Sequence, residues 1–161
     1  MSRYILTAIC AISISLLQGC KVETALYDTA KIYSGVMEGE QEVPSITTSA
    51  HGRITLDIRT DANKMYYELI AGQIENLIDA HLHLGKAGEN GPVIVDIYPG
   101  FKKPGQFNGT LSEGTFQADA LTGPMKCKTI PDLVTEIRRG NVYANIQTDA
   151  HPAGEIRGQV R

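Results

Sequence analysis

Short stretches in which apolar and polar residues alternate run through most of the chain from residue 31 onward. In His51 to Thr60, the side chains of Ile54, Leu56 and Ile58 fall on one face and charged or hydroxyl side chains fall on the other. A period of two is typical of a half-buried β-strand. The pattern predicts about eight strands, over 31–37, 51–60, 64–71, 78–84, 93–98, 106–112, 141–147 and 155–161.

One segment has helical spacing instead. From Ile130 to Arg139, apolar residues recur three and four positions apart, and Gly140 follows as the expected C-cap. Many short strands with a single short helix, around 130–139, predict an all-β fold. The expected architecture is an antiparallel, Greek-key-like β-sandwich or barrel with the helix over one open end.

The N-terminus has the pattern of an export signal that ends in a lipidation site. Arg3 precedes an apolar run, Ile5 to Leu17, of about a dozen residues, which is shorter than the about 20 needed to cross a bilayer. The segment 17–20, Leu-Gln-Gly-Cys, is similar to a lipobox, in which the cysteine thiol takes the lipid. We expect residues 1–19 to be a cleaved signal peptide, Cys20 to be acylated, palmitate included, and residues 20–30 to form a tether.

The remaining ~140 residues suffice for one domain, 31–161. Of the three cysteines, Cys10 leaves with the signal peptide and Cys20 carries lipid, so Cys127 has no disulfide partner. A net charge of −3 without a basic run argues against a nucleic-acid partner. The expected membrane contact is the lipid on Cys20, which places the protein at the cell membrane or the outer membrane, facing the periplasm or the surface.

The segment 78–84 carries the most suggestive chemistry. Its period of two places Asp79, His81 and His83 on one face of a strand. Two imidazoles at positions i and i+2 lie close enough to chelate one ion, and a carboxylate such as Asp79 completes the set or orients a ring. The alternative is a pair of exposed polar residues on a solvent-facing strand.

The C-terminal strands offer further polar side chains. In 141–147, Tyr143, Asn145 and Gln147 fall on the face opposite the apolar one, and the loop that follows carries His151, a candidate third ligand. Arg157 is interpreted either as a structural partner for a carboxylate or as a second-shell residue beside a metal. No nucleophile elbow is present, so the sequence gives no catalytic residues.

Several segments together resemble one family. They occur in the same order as in the chordin-type (CHRD) domain and span nearly all of residues 31–161: 39–44, 80–83, 88–93, 120–124, 140–145 and 151–159. The resemblance implies an all-β sandwich domain of secreted and envelope proteins, with no enzymatic activity attached to the family as a whole. Many such domains have a histidine where this chain has Gln147, so the resemblance also implies that a usual third imidazole is missing.

The His-x-His strand followed by a Gly-rich loop is also similar, more distantly, to the copper strand of copper/zinc superoxide dismutases. That likeness makes copper the first expected ion and zinc the second, held by His81, His83, His151 and Asp79, with Gln147 and Arg157 in a second shell. The competing hypotheses are a metal-free protein-interaction module and, last, a superoxide dismutase-like enzyme, since Gln147 leaves the ligand set incomplete.

Overall fold

A computed structural model of the chain describes residues 31–58, 63–98 and 100–161. The predicted signal peptide at 1–19, Cys20 and the tether therefore lie outside the described residues. Strands dominate the described part. They are β1 (Lys31–Glu38), β2 (His51–Ile58), β3 (Lys64–Leu84), β4 (Val93–Tyr98), β5 (Lys103–Gln117), β6 (Val142–Thr148) and β7 (Ile156–Gln159), with one helix, α1 (Ile130–Arg138), before β6.

Five of these strands close into a barrel through antiparallel pairs. β1 pairs with β2, β2 with β3, β3 with β6, β6 with β7, and β7 with β1. Backbone hydrogen bonds between Ser34 and Arg161, at 2.9 and 3.1 Å, complete the last seam. The apolar faces of the strands meet inside as one core, so the barrel is complete within residues 31–161. The predicted antiparallel all-β class is confirmed in its barrel form.

β3 explains why the described residues contain seven strands and not about eight. The predicted strands 64–71 and 78–84 are the two halves of this single strand of 21 residues. Its first half pairs with β2 and β5, and its second half pairs with β4 and β6. Between the halves, Gln73 and Asn76 adopt positive φ angles of 54° and 49° where the pairing register shifts. These bulges bend the strand, which lets it serve both halves of the barrel.

β4 and β5 lie outside the closed ring, and among the described residues β5 pairs only with β3. The helix α1 covers the barrel with its apolar side, and Ile130, Leu133, Val134 and Ile137 are all buried. Gly140, with φ of 71°, ends it as predicted. The amides of Gly140 and Asn141 bond the carbonyls of Ile137 and Glu136, at 2.9 and 3.0 Å, which is the Schellman pattern.

Candidate functional site

His81 and His83 lie on one face of β3, as the period of two predicts. Their ring centroids are 5.8 Å apart and the ring planes are nearly perpendicular, at 84°. The pairing register sets what surrounds them, because His81 lies opposite Asp96 of β4 on one side and Asn145 of β6 on the other. A row of polar residues therefore crosses the outside of the barrel, and it continues to Arg157 of β7.

Two carboxylates and an amide surround His81. Its Nε2 lies 3.3 Å from Oδ1 of Asp79 and 3.4 Å from Oδ1 of Asp96. The amide nitrogen of Gln147 lies 3.4 Å from Nδ1. An NH₂ group at this position can donate to Nδ1, and Nε2 is the ring nitrogen that faces the carboxylates. The sequence reasoning missed Asp96, although its polar position within the apolar run of β4 is visible in the sequence.

His83 is buried, and both of its nitrogens face partners within the fold. Nδ1 donates to the carbonyl of Gly91 at 2.8 Å, and Nε2 lies 3.0 Å from Oδ1 of Asn145. The ring stacks on Tyr143 with centroids 4.8 Å apart and planes 9° apart. Burial lowers the pKa of His83, while the hydrogen bond to Gly91 opposes that shift. A metal at this ring would have to displace one of the two contacts.

Arg157 forms the other side of this stack. Its guanidinium carbon lies 3.4 Å from the centroid of the Tyr143 ring, and the side chain is 1% exposed. It donates to the carbonyls of Lys86 and Glu89 at 2.8 and 2.9 Å. The stack of Arg157, Tyr143 and His83 thus holds the loop 85–92 against β6, with Gly91 bonded to both Tyr143 and His83.

The outward face of β6 is consequently not exposed. Tyr143 and Asn145, predicted to lie on a polar face, are buried because the loop 85–92 and the segment before β2 cover them. A period of two identifies the two faces of a strand, but it does not show that a loop will cover the second one. Arg157, interpreted from the sequence as a structural partner for a carboxylate or a second-shell residue, donates instead to two loop carbonyls.

Glu42 belongs to the same buried group. Burial raises its pKa from the ordinary value of 4.5 to about 7, although the positive charge of Arg157 lowers it. One carboxylate oxygen, Oε1, has no hydrogen-bond partner among the described residues. A methyl group on Gly154 would collide with this oxygen, so only glycine leaves room for the carboxylate there. Nothing in the apolar pattern pointed to Glu42.

His151 lies in the turn between β6 and β7. Its backbone nitrogen donates to the carbonyl of Thr148 at 3.1 Å, and no contact joins its ring to His81 or His83 in the described part of the chain. Across the described residues, no group of three or more His, Cys, Asp or Glu side chains is arranged to hold a metal ion. As folded, Asp79, His81 and His83 belong to a polar cluster that the His151 ring does not join, and the metal site stays a prediction.

The cluster nevertheless has one point where a cation fits by its chemistry. A divalent ion at Nε2 of His81 would meet the oxygens of Asp79 and Asp96. The fit is poorer at His83, since coordination there costs a buried hydrogen bond. The candidate donors are therefore one imidazole and two carboxylates, which in the described residues are not arranged as a metal site.

None of the described helices is long and apolar enough to cross a membrane.

Comparison with known proteins places these residues in a family. No curated protein and no solved structure is similar enough to the chain to be matched. The family model of the CHRD domain matches residues 33–160, which include β2 to β7, all but the first two residues of β1, and the whole polar cluster. The chain belongs to the CHRD domain family, whose members are domains of extracellular or envelope proteins.

Proposed function

We propose that this protein is a lipid-anchored domain of the cell envelope that binds another protein through the outer face of its barrel. The lipobox-like segment at 17–20 and the family support the location. Cys20 would carry the lipid, palmitate included, and hold the domain at the cell membrane or the outer membrane, facing the periplasm or the surface. The net charge of −3 gives no support to a nucleic-acid partner.

The observation that carries this proposal is the face formed by β1, β2, β3 and β5. Three apolar side chains stand exposed there: Ile32 at 65%, Val36 at 46% and Ile70 at 36%. A groove of about 510 Å³ beside Ile32 is lined by Asp57, Glu68 and Glu113, and no lysine or arginine of the described residues lines it. Exposed apolar residues rimmed by polar ones are typical of protein-binding surfaces.

The charge of the groove indicates the kind of partner. Glu68 and Glu113 are directly opposed across the pair of β3 and β5, and like charges in that position destabilise a sheet. A protein that presents lysine or arginine beside an apolar patch would relieve the repulsion and cover Ile32, which lines the same groove. We therefore propose a partner surface that is basic and partly apolar.

Anchoring and partner binding have separate tests. For the anchor, Cys20→Ser is expected to abolish labelling by a palmitate analogue in cells, while Cys10→Ser leaves it unchanged. Equal labelling of the Cys20 variant and the wild type contradicts the lipid anchor.

For the partner, a photocrosslinking amino acid at Ile70 is expected to give a discrete adduct in cells. The adduct should disappear when Glu68→Lys and Glu113→Lys are added, and the same probe at Lys128, on another surface, should not form it. An adduct that survives the charge reversal argues against the acidic groove as the recognition surface.

A second candidate, copper binding with zinc as the weaker alternative, is favoured by the approach of Asp79 and Asp96 to Nε2 of His81. Titration of residues 21–161 with copper(II), followed by electron paramagnetic resonance, is expected to show one ion with a nitrogen ligand. His81→Ala should remove it, Asp96→Asn should weaken it, and Asp119→Asn, an exposed control, should not. Equal copper uptake by the wild type and a His81→Ala/His83→Ala variant contradicts this candidate.

A further inference from the structure

A second groove lies at the end of the barrel where α1 stops. It has a volume of about 620 Å³ and is bounded by the end of the helix, the loop after β3, the start of β1 and the last residue of the chain. Four of its lining residues are cationic: Lys86, Arg138, Arg139 and Arg161. No acidic side chain of the described residues lines it.

The cationic side chains of this groove, which we call the basic groove, are only partly neutralised. Arg139 pairs with Glu136 at 2.8 Å, and Nε of Arg138 donates to the hydroxyl of Tyr33 at 3.0 Å. Lys86 and Arg161 are exposed and have no carboxylate partner in the described part of the chain. In a protein of net charge −3, this concentration of positive charge is a surface that would attract an anion.

The chemistry of the lining favours phosphate. A guanidinium group offers planar paired donors that match two phosphate oxygens, and a lysine adds a mobile positive charge. The Tyr33 hydroxyl already positions one of the guanidinium groups by hydrogen bonding to Arg138. The groove is open on one side, so a headgroup at a surface can enter without rearrangement of the barrel.

The place of the groove in the chain indicates where that phosphate comes from. Tyr33 is the third residue of β1, and ten residues, Lys21 to Ala30, separate this strand from Cys20. A chain of that length spans at most roughly 40 Å, so a lipid on Cys20 would keep the groove close to the membrane surface. We propose that the basic groove binds the phosphate of an anionic phospholipid headgroup and orients the anchored domain, an inference that rests on the proposed lipid anchor.

The test uses the unlipidated chain, residues 21–161, so that only the groove can attach it to vesicles. Sedimentation with vesicles of phosphatidylglycerol and phosphatidylcholine is expected to retain the wild type, while vesicles of phosphatidylcholine alone should not. Lys86→Ala/Arg161→Ala should reduce partitioning by on the order of 25-fold, because each cation near an anionic surface contributes several-fold. The matched control, Arg53→Ala/Lys126→Ala, removes two exposed cations outside the groove and should leave most of the binding.

Each alternative has its own outcome. An equal loss in both double variants shows diffuse attraction and overturns the site. The same holds if the wild type does not bind phosphatidylglycerol vesicles, or if millimolar inorganic phosphate releases it completely, which would identify free phosphate as the ligand. Far-ultraviolet circular dichroism confirms that each variant is folded. Because the assay contains no lipidated protein, its result is independent of the palmitate labelling that tests Cys20.

Discussion

At the scale of single residues, the unusual feature is an acid held beside an arginine in the interior. Glu42 and Arg157 are both buried, yet burial raises the pKa of Glu42 to about 7. The folded protein therefore holds a proton on Glu42 at pH values where the unfolded chain has released it. The stabilising contribution of this group is full below pH 4.5 and is lost as the pH rises through about 7.

Glu42→Gln is expected to remove this pH dependence. Between pH 4.5 and 8, the free energy of unfolding of the wild type should fall relative to the variant by about 3 kcal/mol. Urea denaturation at a series of pH values measures the free energy of unfolding of both proteins. The opposite contribution of His83 is present in both and cancels when the two free energies are subtracted. Glu40→Gln, an exposed neighbour, should follow the wild type at every pH.

Arg157 gives the second prediction at this scale. Arg157→Lys is expected to destabilise the fold by about 3 kcal/mol, because an ammonium cannot stack on Tyr143 and reach both loop carbonyls. The amide of Gly91, which donates to the Tyr143 hydroxyl, should exchange faster with solvent. Arg53→Lys is the exposed control, and a similar small effect of both changes would show that Arg157 does not hold the loop.

The sequence indicated the common face of His81 and His83 but not what their rings contact. The nitrogens of His83 meet a loop carbonyl and a side chain 62 positions away. Such contacts depend on the register of β3 against β6 and on the path of the loop 85–92, and neither follows from a local pattern. This is why a pair of potential ligands and a pair of structural imidazoles have the same sequence signature.

At the scale of elements, both ends of α1 have capping residues that can be recognised in the sequence. Thr129 and Asp132 form a capping box at its start, and Gly140 ends it with a positive φ. The helix was therefore predicted to within one residue of its observed end. The sequence pattern predicts two strands in place of β3, because the segment Gly72 to Asn76 interrupts the alternation of apolar and polar residues. A β-bulge and a turn have similar amino-acid compositions, so the pattern does not distinguish them.

Gly140→Ala tests the helix end. A methyl group would meet no atom within 4 Å, so the expected cost of about 1 kcal/mol comes from the left-handed backbone alone. Thermal unfolding should show the loss for alanine and a smaller one for Gly140→Asn, because asparagine tolerates this conformation better. Equal losses for the two variants would contradict a backbone origin.

At the scale of the molecule, the seam between β1 and β7 closes the barrel through one bridge pair, Glu38 and Arg157, and the backbone bonds of Ser34 and Arg161. Val160 is fully buried, its amide donates to Val142 at 2.9 Å, and Arg161 exchanges two backbone hydrogen bonds with Ser34. The sequence predicted the strands on both sides of this seam. It did not predict that they pair, because the local pattern of apolar and polar residues contains no information about a partner strand more than a hundred residues away.

Deletion of residues 160 and 161 is expected to destabilise the barrel by about 3 kcal/mol or more, because it removes a buried valine and opens the seam. Arg161→Ala keeps the backbone and should remain close to the wild type in denaturant unfolding. If the substitution costs as much as the deletion, the side chain and not the closure is responsible.

In the described part of the chain, one edge of β5 pairs with no other strand, and this bears on how copies of the protein associate. Molecules confined to a membrane plane meet one another far more often than in solution, and an unpaired strand edge is a template for association. On this edge, Pro104 lacks an amide proton, while Gly105 and Gly109 have positive φ angles of 80° and 129° that break the regular ladder. With the lipid anchor that we propose, neighbouring copies at high surface density should therefore remain separate, whereas a flat edge of the same length would join them into fibres.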